Sequence, residues 1–432
     1  MKRLPGFSTF LRSAYEHLPG LAPAIFLFVL PFSGTVALRL SLLAISTICA
    51  LQLTRTNPHP PVPLKIPFFL WLGVALLSLV GASDFTYSVG EIKNEIGYTA
   101  IAFSSFFVLA GKEHHWKVWI TSLMAGFVAA AVLASYYFYG SLVIHDGQYI
   151  GSGSLSTYLI LIAPIVFMLF ERSCLVGRHR VVSMTLLVLI IACGFMSLSR
   201  AFWPALVVSA TLYVGLRLIR HRRISPLLIV CILAIGSVVV VFGLMLASGT
   251  RYATEITFEA ALRVINDDPR LEMWRESIRQ ILHHPIAGAG FGVASSRPFF
   301  ALHFDGEPLW HAHNAILNCG LQMGFPGLMA GAYLFFSIAR EFTRMWRSPD
   351  ERCSCLGAAG LAILSGAFAK SMTDSLIGRG MSLLLWALMG VLLGLGQRLL
   401  SGTLDISPLT QRAPDDLSRT QSGNGHGTLA AY

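Results

Sequence analysis

Residues 310–339 read WHAHNAILNCGLQMGFPGLMAGAYLFFSIA, two histidines and an asparagine followed by an almost unbroken apolar run. A run of this length crosses a hydrocarbon core about 30 Å thick when it is helical. Inside lipid every backbone polar group must find its partner within the segment, which a helix achieves and a lone strand does not. Similar runs recur along the chain. Of its 432 residues 54% are hydrophobic and only 12% charged, whereas soluble domains carry about a quarter charged residues. The sequence therefore predicts an all-α polytopic membrane protein and excludes an ordinary soluble enzyme.

About twelve spans are expected, near 19–32, 34–54, 64–82, 96–111, 117–139, 153–171, 181–198, 201–219, 225–246, 314–339, 354–374 and 380–400. Lys2, Arg3 and Arg12 precede the first span without a small-residue cleavage site, so it is expected to stay as an anchor. With both termini in the cytoplasm, about 21 of the 32 Lys and Arg fall on the cytoplasmic side, as the positive-inside rule requires. The net charge of +10 is then a topology signal, spread over short loops, and not a nucleic-acid footprint. The seven cysteines form no disulfide framework, and Cys353-Ser-Cys355 is not a zinc spacing.

Four regions follow: N-terminal spans (1–246, about nine), a long extracytoplasmic loop (247–312), C-terminal spans (313–400, about three) and a polar cytoplasmic tail (401–432) expected to be disordered. The loop is far longer than an ordinary connection. Within it Asp268-Pro269 reads as a helix start. Leu271, Trp274, Ile278, Ile281 and Leu282 form an apolar stripe opposite Glu272, Arg275, Glu276 and Arg279, an amphipathic helix at the membrane surface or over a cavity. Pro285 ends it. The glycines of 286–292 follow no strand, so they are not a dinucleotide fingerprint.

Arginines outside the cytoplasmic side run against the charge bias, and their planar forks suit phosphate oxygens. Arg200 sits on the tight turn between the seventh and eighth spans; Arg263 and Arg270 bracket the start of the loop helix; Lys370 and Arg379 flank the outer end of the last hairpin, and Arg39 lies early in the second span. Snorkelling and solvated charge are the competing readings. His313 has the titration range of a general base, and Asn314 is placed to orient it or bind a hydroxyl. His311 is open to the same role or to capping the span. Zinc would need a third ligand, and neither His303 nor Asp305 comes at a persuasive spacing. Asp374 is an intramembrane acid one turn from Lys370.

Three stretches together resemble the O-antigen ligase family: Leu198-Ser199-Arg200-Ala201-Phe202-Trp203; Arg270 to Trp274 with Pro285-Ile286-Ala287-Gly288-Ala289-Gly290; and His313-Asn314, nine residues, then Gly324. The long outer loop and the span count match over nearly the whole chain. An Arg-x3-Leu motif of some members is absent from this loop. So is the large C-terminal extension usual in protein-glycosylating members, which argues against a protein acceptor. The resemblance implies a GT-C-like, inverting, metal- and cofactor-independent glycosyltransferase of the bacterial inner membrane. Its donor would be a glycan on undecaprenyl pyrophosphate, and its acceptor lipid A-core, in the periplasm. His313 would be the catalytic residue; Arg200, Arg263, Arg270, Trp274, His311, Asn314, Lys370 and Arg379 would bind substrate. A polysaccharide polymerase of the same family would use the same residues. A lipid-linked glycan transporter, a different class, would more often carry its charges at mid-membrane.

Overall fold

Apolar runs become helices and the polar joints between them become turns. The structure, a computed structural model, describes residues 7–56, 59–141, 151–173, 177–221, 236, 269–301, 311–372 and 379–403. Fourteen α-helices are described: α1 Phe7–Val29, α2 Val36–Thr56, α3 Lys65–Leu77, α4 Phe85–Glu91, α5 Tyr98–Leu109, α6 Glu113–Ser141 and α7 Ser152–Ser173, then α8 Gly177–Met196, α9 Phe202–His221, α10 Pro269–His283, α11 Arg297–Ala301, α12 Ala315–Trp346, α13 Glu351–Ser371 and α14 Arg379–Ser401. Among the described residues there is no strand.

Among the described residues seven helices are long and apolar enough to cross a membrane: Val36–Thr56, His114–Gly140, Gly153–Glu171, Phe202–Arg220, Ala315–Trp346, Glu351–Ser371 and Gly380–Ser401. Three shorter apolar helices, His17–Val29, Lys65–Gly81 and Arg180–Met196, occupy expected spans as well. The expected span near 96–111 coincides with α5, twelve residues preceded by a π-helical turn, Ile92–Gly97. The span at 225–246 lies outside the described residues apart from Gly236. The first two spans are separate helices joined by the turn at 30–35. This is a polytopic helical membrane protein.

α7 lies at the centre of the bundle, where 83% of its apolar window is buried. Tyr158, Ile160, Leu161, Ile162, Ala163, Ile165 and Val166 leave no face for lipid. It packs on α8, α9 and α13. α2 is peripheral and only 33% buried, with Val36, Leu38, Ile48 and Leu51 exposed. Where two apolar helices meet, small residues let the backbones close up. On α14, Gly390 and Gly394 do this against α5: a Cβ on either would meet the carbonyl oxygen of Phe103 or Phe107.

One end of the bundle is tied by ion pairs. Arg217 donates through Nε and Nη2 to the Glu171 carboxylate at 2.8–3.0 Å and also bonds Glu351, while the Tyr213 hydroxyl donates to Glu171 at 2.7 Å. This joins α7, α9 and α13. Arg220 donates to Ser348 O at 2.6 Å and Trp346 Nε1 to Leu216 O at 3.2 Å. The exposed Arg340 and Arg344 on α12, and Arg347 just past its end, stand at the same end. α9 and α13 run antiparallel, since Ser209 Oγ donates to Ala362 O at 2.8 Å while Arg217 meets Glu351. Continuing that register brings the α8–α9 turn level with the last turn of α13, at the opposite end. There the candidate site lies.

Candidate active site

α12 holds the histidine turn, and α12 is broken. Gly324 has φ 64° and ψ −160° in an otherwise helical run. In an unbroken helix Leu321 O would accept from Phe325 N–H, and Gln322 O would look to residue 326. That residue is Pro326, which has no N–H. The glycine-rich segment before the histidines supplies the missing partners. Ala289 N–H donates to Leu321 O at 2.8 Å, Gly290 N–H to Gln322 O at 3.2 Å, and Phe325 N–H is taken by Pro285 O at 2.7 Å. Gly292 N–H adds a bond to Gln322 Oε1 at 3.0 Å. Orphaned backbone groups in a dry place would each cost free energy comparable to a lost hydrogen bond, and here they are paired.

This seat explains the glycines. Gly288 has φ 61°, and a Cβ there would lie 2.5 Å from the Gln322 carbonyl carbon; a Cβ on Gly324 would meet Pro285 O. On its other side the segment leans on the start of α4: Ser83 N–H donates to Ala289 O at 3.4 Å and Ala294 N–H to the Tyr87 hydroxyl at 3.0 Å. Past the break, α12 runs 22 residues to Trp346, about 33 Å at 1.5 Å per residue and enough to cross the core. The nine residues before the break form a half-helix of about 13 Å that carries the histidines away from the spanning part.

α10 closes over this half-helix. Met273 and Ile281 pack with Phe300, Ala312 and Leu321. The faces differ from the expected stripe: Glu276 lies on the buried side, whereas Ile278 and Leu282 are exposed. Burial of Glu276 is tolerated because Arg279 Nη1 and Gln280 Nε2 donate to its carboxylate at 2.8 and 2.7 Å. The spacing of Glu276 and Arg279 offered that pairing in the sequence; the burial of Glu276 was not evident from it. Ile278, Leu282 and the following Ile286 leave an apolar surface uncovered by protein.

The histidine turn is held at every joint. His311 and His313 are both half-buried, with ring centroids 3.9 Å apart. His313 has φ 47°, in the left-handed region. Asn314 caps α12: its Oδ1 accepts from Ile316 and Leu317 N–H at 3.0 and 3.2 Å, and its Nδ2 donates to Met372 O at 3.2 Å. That last bond ties the turn to the end of α13, where Lys370, two residues back, is fully buried. Trp274 Nε1 donates to Ala312 O at 2.8 Å, and Ala312 N–H donates to Asn318 Oδ1 at 2.9 Å.

The structure thus brings together His311, His313, Asn314, Trp274 and the Lys370 end of α13. Arg200 is exposed on the turn level with that end. Arg270 is exposed in the first turn of α10. Arg379 begins α14, although its side chain is not among those described, and Arg263, His303, Asp305 and Asp374 lie outside the described residues. Two residues escaped the sequence-based site. Asn318 and Gln322 stand four apart on the buried side of the half-helix, a polar pair in an apolar run that was there to be read. Arg39 is buried near the start of α14, donating to Thr35 Oγ1 at 2.8 Å and to Phe32 O, with Gly380 beside its guanidinium. Among the described residues no three His, Cys, Asp or Glu side chains group as a metal site.

Fold and candidate site define a polytopic membrane protein whose candidate residues gather at one end, on a broken helix covered by an amphipathic one. Residues 185–331, which include Arg200, α10, the glycine segment, the histidine turn and Gly324, match the family model described as O-antigen ligase. The match bears out the family resemblance over roughly a third of the chain. No curated protein matches the sequence.

Proposed function

We propose that the protein is an O-antigen ligase of the bacterial inner membrane, an inverting and metal-independent glycosyltransferase. It moves a glycan from undecaprenyl pyrophosphate to a hydroxyl of lipid A-core, and its histidine end faces the periplasm. The observation that carries this reading is the turn at His313. A half-buried imidazole is held in a left-handed backbone beside a second ring, at the start of the half-helix that leads into a spanning one, within the segment that matches the family.

In the reaction, His313 accepts the proton of the acceptor hydroxyl as that oxygen forms its bond to the anomeric carbon. The bond from that carbon to the pyrophosphate oxygen breaks, and undecaprenyl pyrophosphate leaves with the electron pair. Attack opposite the leaving group inverts the anomeric centre. Charge grows on the pyrophosphate as the bond breaks, so cations placed there lower the barrier selectively. Asn314 already takes the Ile316 and Leu317 N–H groups, so the helix end is not free to hold the anion. That task falls to Arg200, with Arg263 or Arg270 and the Lys370–Arg379 end of the last hairpin. The exposed apolar side of α10 rests in the outer leaflet and brings the lipid portions of the substrates toward the turn.

A polymerase would use the same groups and differ only in its acceptor. Cells lacking the protein distinguish the two on a lipopolysaccharide gel. Loss of every chain-bearing band is expected for a ligase; bands carrying a single repeat would assign the polymerase instead.

A further inference from the structure

Ala312, the residue between the two histidines in the chain, has its backbone held on both sides. Its N–H donates to Asn318 Oδ1 at 2.9 Å and its carbonyl accepts from Trp274 Nε1 at 2.8 Å. Neither holding group belongs to the turn. Asn318 comes from the next turn of α12, 1% exposed, and its Nδ2 has no hydrogen-bond partner. Trp274 comes from α10. The residue that follows Ala312, His313, sits at φ 47°, where a side chain crowds its own backbone at a cost of about 1–2 kcal/mol. A backbone kept in a sparsely populated state needs surroundings that over-determine it, and this turn has two dedicated side chains for that purpose. Burying the Asn318 amide with one end unpaired is itself unfavourable. An aliphatic side chain would pack there without that penalty but would leave Ala312 N–H unheld.

We propose that Asn318 is a positioning residue, which together with Trp274 locks the Ala312 backbone and so presents the His313 imidazole to the acceptor hydroxyl. It touches neither substrate nor reacting atoms. This rests on the reading of His313 as the base and adds the device that aims it. Displacing a reacting group by about 1 Å costs on the order of 10²-fold in rate, which sets the size of the expected effect.

The test uses the full-length protein in proteoliposomes with undecaprenyl-pyrophosphate-linked glycan and lipid A-core, reading kcat and the donor KM separately. Asn318→Leu is expected to lower kcat by roughly 10²-fold with the donor KM unchanged. Asn318→Asp, which keeps the acceptor, should recover most of the rate. Trp274→Phe should repeat the kcat loss, and combining it with Asn318→Leu should add little, because both hold the backbone of the same residue. Wild-type kcat in Asn318→Leu, or an equal loss in Asn318→Asp, would overturn the proposal. His313→Ala separates the two levels. If it transfers normally, the base reading fails and the positioning role with it. If it is inactive while Asn318→Leu is normal, the base reading stands and only the positioning role falls.

Discussion

His313 was visible in the sequence by its place at the mouth of an apolar run; its left-handed backbone was not, because φ at a single residue is set by contacts made from elsewhere. Trp274 shows the same limit. Its position on the apolar stripe suggested a substrate contact, yet its indole N–H is spent on Ala312 O. Asn314 likewise has both ends of its carboxamide engaged, in the helix cap and in the bond to Met372 O. At this scale His313→Ala should reduce glycan transfer by about 10²–10⁴-fold, the usual worth of a positioned base, while the protein still inserts. Arg200→Ala should abolish detectable transfer too, and its loss should not be rescued by raising pH. Transfer rates on equal amounts of membrane-inserted protein check both. A near-normal rate in either variant removes that residue from the mechanism.

The elements were legible wherever hydrophobic periodicity or length decides. Eleven of the expected spans coincide with described helices, and α10 begins at Pro269 as its start signal indicated. The break in α12 escaped the reading of 314–339 as one span, although Gly324 and Pro326 advertise it. The missing Pro326 N–H becomes informative only once the segment 285–292 is known to fill the gap. Substituting Gly324 by Ala tests this seat. A side chain at φ 64° and ψ −160° costs about 1–3 kcal/mol in backbone strain, and its Cβ would also press on Pro285 O. The variant should melt earlier in detergent and lose transfer. Unchanged melting and full transfer would mean the break is not what seats the glycine segment.

For the whole molecule, charge separates the two ends. Arg217 is buried against Glu171 and Glu351 at the end opposite the histidines. Removing one partner of a buried pair costs about 3–5 kcal/mol, and Glu171, a quarter exposed, should give less than that. Glu171→Gln is therefore expected to lower the melting temperature of the purified protein without changing which acceptor it uses; no shift in melting would mean the network is not a tie. Orientation is checked with single cysteines at Arg275 and Arg344 in a cysteine-free background. A membrane-impermeant maleimide should label the first in intact spheroplasts and the second only after lysis, and the reverse pattern would invert the topology. The most direct measurement is transfer in vitro, with purified protein, undecaprenyl-pyrophosphate-linked glycan and lipid A-core in the presence of EDTA, beside the His313→Ala variant. A ladder on the core that survives EDTA and disappears in the variant is the expected result. A ladder abolished by EDTA, or one that His313→Ala forms as well as the parent, would contradict a metal-independent ligase with His313 as its base.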